Sequence, residues 1–192
     1  MSIPARRLAT YEDLVQVHDH LVAEIVDGEL VASPRPAFRH AVAGSAVGGN
    51  LFGAFHVGSG GPGGWWIVDE PELHFGADVL VPDLAGWRRE RMPVIPDVAF
   101  LELAPDWICE VLSPFTARLD RVRKLPIYGR AGVSHAWLVD PAARTLEVLR
   151  LQGGQWLLVA TFGDDDKIRA EPFDAAEIPL ATLWIESAPP GK

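Results

Sequence analysis

Asp83 and Glu110 are carboxylates set inside apolar, strand-like runs, Val79-Leu80-Val81-Pro82-Asp83-Leu84-Ala85 and Trp107-Ile108-Cys109-Glu110-Val111-Leu112. Burying an unpaired carboxylate is costly, so such positions point to a bound metal or a proton-transfer task. Together they suggest metal-dependent hydrolysis. Pro82 lacks an N–H and belongs at a strand end, bulge or edge, where the next side chain can be exposed. The competing explanation for Asp83 is a turn cap after a strand. Period-2 alternation puts Glu110 on one strand face with Ile108 and Leu112, while Trp107, Cys109 and Val111 face the other way. An internal salt bridge to Arg118 or Lys124 is its alternative role.

The elements that must hold these groups follow from local pattern. Thr10 followed by Glu12 and Asp13 reads as a helix cap, with a short helix running towards His20. Asp27-Gly28 between Leu21–Val26 and Leu30–Ala32 predicts a hairpin. Phe38, Val42, Val47, Leu51 and Phe55 have helical spacing, which predicts a packed, glycine-tolerant helix over 37–55. Residues 58–64 form a glycine-rich connector without the lysine of a phosphate-binding loop. Strands are predicted at 65–69, 72–75, 78–86, 99–103 and 106–112, making one core sheet. A helix is expected over 116–128, with Asp120 and Lys124 four residues apart on one face and Pro126 shortening or kinking it. A strand at 134–139 and a hairpin from 145–151 and 155–162 complete a mixed α/β (α+β) order of packed layers.

Composition bounds the rest. The chain has 192 residues, consistent with one domain over 1–192. No run of about 18 apolar residues is present to span a bilayer. Without an apolar signal core, and with Cys109 as the only cysteine, a reducing cytoplasm is the expected location. The formal net charge of −9 argues against indiscriminate coating of nucleic acid, although Arg118, Arg121, Arg123, Lys124 and Arg130 form a local basic stretch. The six histidines are scattered, so zinc is not supported; His40, beside Arg39, is the one placed to face a phosphate. Cys109 suits a buried apolar role, and Ser113 lacks the G-x-S-x-G context of a serine hydrolase. The seven tryptophans suit core and interface packing.

Several motifs in series carry a resemblance. Glu24-Ile25-Val26-Asp27-Gly28-Glu29-Leu30, Val81-Pro82-Asp83-Leu84, Glu110-Val111-Leu112-Ser113-Pro114, Asp120 with Lys124 and Tyr128, and Gly132-Val133 leading to Trp137-Leu138-Val139-Asp140-Pro141 together resemble the Uma-two family of restriction-endonuclease-like proteins over about residues 10–185. The resemblance implies the PD-(D/E)XK nuclease fold, a central mixed sheet flanked by helices, here with an N-terminal hairpin and a C-terminal β-hairpin. It also implies a divalent-metal site.

Phosphodiester hydrolysis requires an activated water and stabilisation of charge on the phosphoryl oxygens, which Mg²⁺ held by carboxylates supplies. Mg²⁺ takes only one or two protein carboxylates and keeps several waters, so Asp83 and Glu110 suffice, with the Val111 carbonyl as a third protein ligand and Mn²⁺ as a substitute. The chain departs from the superfamily pattern at Leu112, where a lysine is expected two residues after the second acid. Lys124 is the replacement that the resemblance implies, and Glu24 matches the family's N-terminal acid. Glu70 and Glu72 add carboxylate near the Asp83 segment, whereas Tyr128 is expected to pack. The expected partner is DNA, with a homodimer formed through the apolar strands of 145–162. A non-catalytic binding module with the same fold is the competing reading, favoured by Leu112 and the acidic net charge.

Overall fold

The computed structural model describes residues 7–18 and 20–185. The outer ends of the 1–192 span therefore fall outside the described residues, and the helix expected to run towards His20 stops at Val15. Thr10 caps α1 (Tyr11–Val15) reciprocally with Asp13. β1 (Leu21–Val26) and β2 (Glu29–Pro34) form the predicted hairpin, with Asp27 and Gly28 both at positive φ, the conformation this turn demands. α2 (Phe38–Leu51) continues into a π-helical stretch (Phe52–Val57) that stops at Gly58 in the left-handed region. The two together extend slightly beyond the predicted 37–55 helix.

The predicted core sheet is divided. β3 (Trp65–Asp69), β6 (Leu84–Arg88), β7 (Trp107–Val111), β8 (His135–Asp140), β9 (Thr145–Gln152) and β10 (Gln155–Gly163) form a six-stranded sheet in the order β10-β9-β8-β7-β6-β3. β4 (Leu73–Phe75) and β5 (Asp78–Leu80) instead join the N-terminal hairpin in a four-stranded sheet ordered β2-β1-β5-β4. The single strand expected over 78–86 is thus two strands in different sheets, separated at Val81-Pro82-Asp83. Proline's missing N–H interrupts the ladder there. The strand expected at 99–103 is reduced to one bridge between Leu101 and Leu73.

β7 and β8 pair in parallel and every other neighbouring pair in the six-stranded sheet is antiparallel, so the sheet is mixed. The parallel pair needs a crossover, supplied by α3 (Ala117–Leu119), a π-helical stretch (Asp120–Lys124) and α4 (Leu125–Ala131). Pro126 does not shorten this segment. The wider π turn immediately before it absorbs the ring and the absent donor, and the helix ends at Gly132 in the left-handed region. β11 (Lys167–Ile168) and β12 (Ile178–Pro179) make a small separate ladder.

Alternation along β7 separates two cores. Trp107, Cys109 and Val111 pack with Ala43, Val47 and Leu51 of α2, and with Phe173 and Leu183. Ile108 and Leu112 pack on the opposite face with Leu125, Ile127 and Tyr128, and with Val26, Leu73 and Leu80 of the smaller sheet. Helices and the second sheet therefore flank a central sheet whose middle strand, β7, is buried throughout. Tryptophans 87, 107 and 137 are fully buried, as expected for packing residues.

Gly86 allows these rings to close over the sheet centre. A Cβ there would lie 3.2 Å from both Ile67 and Trp107 and 3.3 Å from Trp65. Gly86→Val should lower stability by about 1–3 kcal/mol through overpacking, measured by urea unfolding, whereas wild-type stability in the variant would contradict this packing account.

Candidate functional site

The break between β5 and β6 is built from its backbone groups outward. The Val81 N–H donates to Glu24 Oε1 at 2.8 Å, Pro82 has no N–H, and the Asp83 carbonyl accepts from the Glu70 N–H at 3.0 Å. The Asp83 carboxylate then turns to β7, where its Oδ2 accepts the Val111 N–H at 2.6 Å. A side chain between the two sheets is thereby fixed beside the residue that follows Glu110.

Glu110 leaves β7 on the face towards the crossover helix. Its Oε1 accepts from the Tyr128 hydroxyl at 2.7 Å and lies 2.8 Å from Lys124 Nζ. The same ammonium lies 2.8 Å from Glu24 Oε1 and 3.8 Å from Asp120 Oδ1, and donates to the Val81 carbonyl at 3.4 Å. Asp120, Lys124 and Tyr128 recur every four residues and present one helix face to the site. From the other side, His40 near the start of α2 places Nε2 3.3 Å from Asp83 Oδ1 and hydrogen-bonds with the backbone of Val111.

All of these groups except Tyr128, which lies behind Glu110, line one cleft of about 410 Å³. Its wall carries five carboxylates, Glu24, Glu70, Asp83, Glu110 and Asp120, against Arg35, His40 and Lys124. Burial pushes the Glu110 carboxyl well above the usual range, opposed by Lys124 and reinforced by Asp120, Asp83 and Glu24. Burial likewise raises Asp120 to about 6 against the pull of Lys124. Burial alone would lower Lys124, but Glu110 and Glu24 hold it well above its ordinary value, so the ammonium stays charged. Burial and Glu110 raise the Tyr128 hydroxyl, which stays a donor. Burial disfavours protonation of His40, yet its hydrogen bond to Asp83 and the Asp83 charge raise it overall. One ammonium thus faces a surplus of carboxyl groups, two of which, Glu110 and Asp120, hold a proton more tightly than a free carboxyl does.

A divalent cation is the chemical complement of that surplus. Asp83, Glu110 and the Val111 backbone offer hard oxygen donors at adjoining positions, and the donor type suits Mg²⁺ or Mn²⁺. No group of three or more His, Cys, Asp or Glu side chains forms a ready cage among the described residues. Mg²⁺ does not require one, because waters complete its shell.

Asp83, Glu110, Val111, Lys124 and Glu24, named from the sequence, all border this cleft. Glu70 also reaches its rim, whereas Glu72 is paired with His74 at 2.7 Å and does not line it. Glu110 does make the salt bridge to Lys124 that sequence offered as its alternative role, and it lines the cleft as well. Tyr128 was expected only to pack; it is fully buried, but its hydroxyl grips Glu110. Its four-residue spacing from Lys124 was the available signal. Phe115, on the cleft wall and 85% exposed, was not singled out by any pattern.

Comparison with known proteins supplies a family and a fold neighbour. The chain matches the Uma2 family model, described as "Putative restriction endonuclease", over residues 8–181. Its fold is similar to that of a "putative nuclease belonging to DUF820" from Anabaena variabilis ATCC 29413, with a TM-score of 0.73 and 20% identity across 91% of this chain and 97% of the other. No curated protein matches. No helix among the described residues is long and apolar enough to cross a membrane.

Asp120 supplies a stability test. Its folded pKa of about 6 lies above its ordinary value of 3.8, so its favourable contribution is complete below the lower value and is lost as pH rises through the upper one. In metal-free protein, Asp120→Asn should remove about 2 kcal/mol of the stability lost between roughly pH 4 and pH 8. Urea unfolding across that range checks it; parallel wild-type and variant curves would refute the assignment.

Proposed function

The chain belongs to the Uma2 family, and from that premise we propose that it is a metal-dependent endonuclease that hydrolyses phosphodiester bonds in DNA. The observation that carries this reading is the 2.6 Å bond from the Val111 N–H to Asp83, which fixes one acid beside the strand end bearing the other. Asp83, Glu110 and the Val111 carbonyl would hold Mg²⁺, with Mn²⁺ as a substitute. When bound, the ion supplies charge neutralisation at the phosphoryl oxygens and acidifies a water.

The protein's own groups do the positioning. His40 and the Val111 N–H hold the two oxygens of Asp83, while Tyr128 and Lys124 hold one oxygen of Glu110. The other Glu110 oxygen is left to serve as a ligand. Glu24 anchors Lys124 and the Val81 backbone together, so the inner wall cannot shift without breaking an ion pair. Lys124 supplies the positive charge that Leu112 cannot, stabilising negative charge that develops on the phosphate. It does so from the inner wall, where its side chain is only 3% exposed.

The engagement of Lys124 with three carboxylates favours a second reading, a non-catalytic module that keeps the fold. Nicking of supercoiled plasmid separates the two. With Mg²⁺ or Mn²⁺ the wild type should nick, and Asp83→Ala should lose at least about 100-fold in rate, as expected when charge stabilisation is removed. Equal cleavage by variant and wild type would eliminate the catalytic reading. Calorimetric titration of Mn²⁺ should show binding by the wild type and its loss in Glu110→Gln; unchanged binding would remove Glu110 from the ligand set.

A further inference from the structure

We infer that the cleft accepts a nucleic-acid strand with unpaired bases, and that Phe115 is the platform on which a base next to the bound phosphate stacks. This rests on the nuclease reading for the phosphate's position and adds the class of substrate. Phe115 is 85% exposed, lines the cleft, and makes no ring contact with any described residue. Its backbone is braced. Ser113 Oγ accepts the N–H groups of Phe115 and Thr116 at 3.3 and 3.1 Å, and the Ser113 N–H donates to Thr116 Oγ1 at 3.3 Å. A braced turn at the end of β7, directly after the Glu110 segment, therefore holds an apolar ring in water at the mouth of a charged site.

The surroundings select the occupant. Pro34, Pro36 and Pro114 line the same cleft as Phe115, an apolar surface of no use to a phosphate and well suited to a base face. A volume of about 410 Å³ lies in the small-ligand range and suits one nucleotide unit. Arg39 and Arg118 are exposed and make no ion pair with any described residue. Each lies close in sequence to an exposed phenylalanine, Phe38 or Phe115. Arginines interleaved with exposed rings are the pattern that tracks a single strand, phosphates on the cations and bases on the rings. A closed duplex keeps its base faces stacked inside and offers nothing to Phe115. With net charge −9 and five carboxylates in the cleft, phosphate contacts alone make a weak grip, so stacking has to contribute.

Fluorescence anisotropy with labelled oligonucleotides tests this in Ca²⁺ buffer, comparing a single strand with a blunt duplex of the same sequence. The wild type should favour the single strand by roughly 10-fold or more, and Phe115→Ala should weaken single-strand binding by about 5- to 100-fold. Duplex binding and thermal midpoint should be unchanged in that variant, because Phe115 packs against little. A 2-aminopurine base in the strand should be quenched by wild type and not by Phe115→Ala. Equal affinity for the two substrates, or an unaltered Phe115→Ala, would overturn the inference. Cleavage assays on the wild type keep the outcomes apart: Phe115-dependent single-strand binding by a wild type that never cleaves with Mg²⁺ or Mn²⁺ would sink the nuclease reading alone. Metal-dependent cleavage without that dependence would sink the stacking platform alone.

Discussion

A single buried ammonium organises this molecule's cleft. Lys124 stands within ion-pair distance of Glu24, Glu110 and Asp120, and each comes from a different part of the chain: the N-terminal hairpin, the central strand and the crossover helix. None of those carboxylates is tolerable where it lies without a counter-charge. A buried ion pair is poor evidence of net stability, because desolvation offsets much of the attraction. Its value here is geometric. Removing one partner leaves an uncompensated charge, so the three elements are held in one relative arrangement.

The second constraint is the parting of the two sheets. β5 and β6 are nearly continuous in sequence yet belong to different sheets, and the chain passes between them at Val81-Pro82-Asp83. Backbone groups at such a break need partners from elsewhere. Glu24 satisfies Val81, and Asp83 satisfies Val111. The same carboxylates that form the site are therefore structural caps on the break. That dual role places these carboxylates at the join of two layers, where a cleft opens and side chains from both sheets converge.

Charge balance connects this architecture to function. The cleft has more carboxyl groups than cations, and burial pushes Glu110 and Asp120 towards their protonated forms. Carboxyls crowded in this way repel one another, and such perturbed groups gathered in a cleft mark a candidate functional site. The hydroxyl of Tyr128 and the ring of His40 complete the hold on the two acids without adding negative charge.

Much of this was legible in local pattern. Alternation along 107–112 placed Glu110 opposite Cys109 correctly, because the side-chain period of a strand is a property of the backbone itself. Pro82 marked a break for the equally local reason that it carries no donor. Four-residue spacing put Asp120 and Lys124 together on one helix face. Other features had no local trace. The Glu24 bond to Val81 spans 57 residues and the Tyr128 bond to Glu110 spans 18. The spacing of Tyr128 from Lys124 marked its helix face but not its distant partner, so Tyr128 read as a packing aromatic, and 78–86 read as one strand. The sequence by itself determined most of the elements, the faces of β7 and the identity of the acids, since those follow from residue type and short-range backbone geometry. Only the tertiary structure decided that two sheets part at Pro82, that one ammonium serves three carboxylates, and that Phe115 stands in water beside them, because each depends on which distant surfaces close-pack.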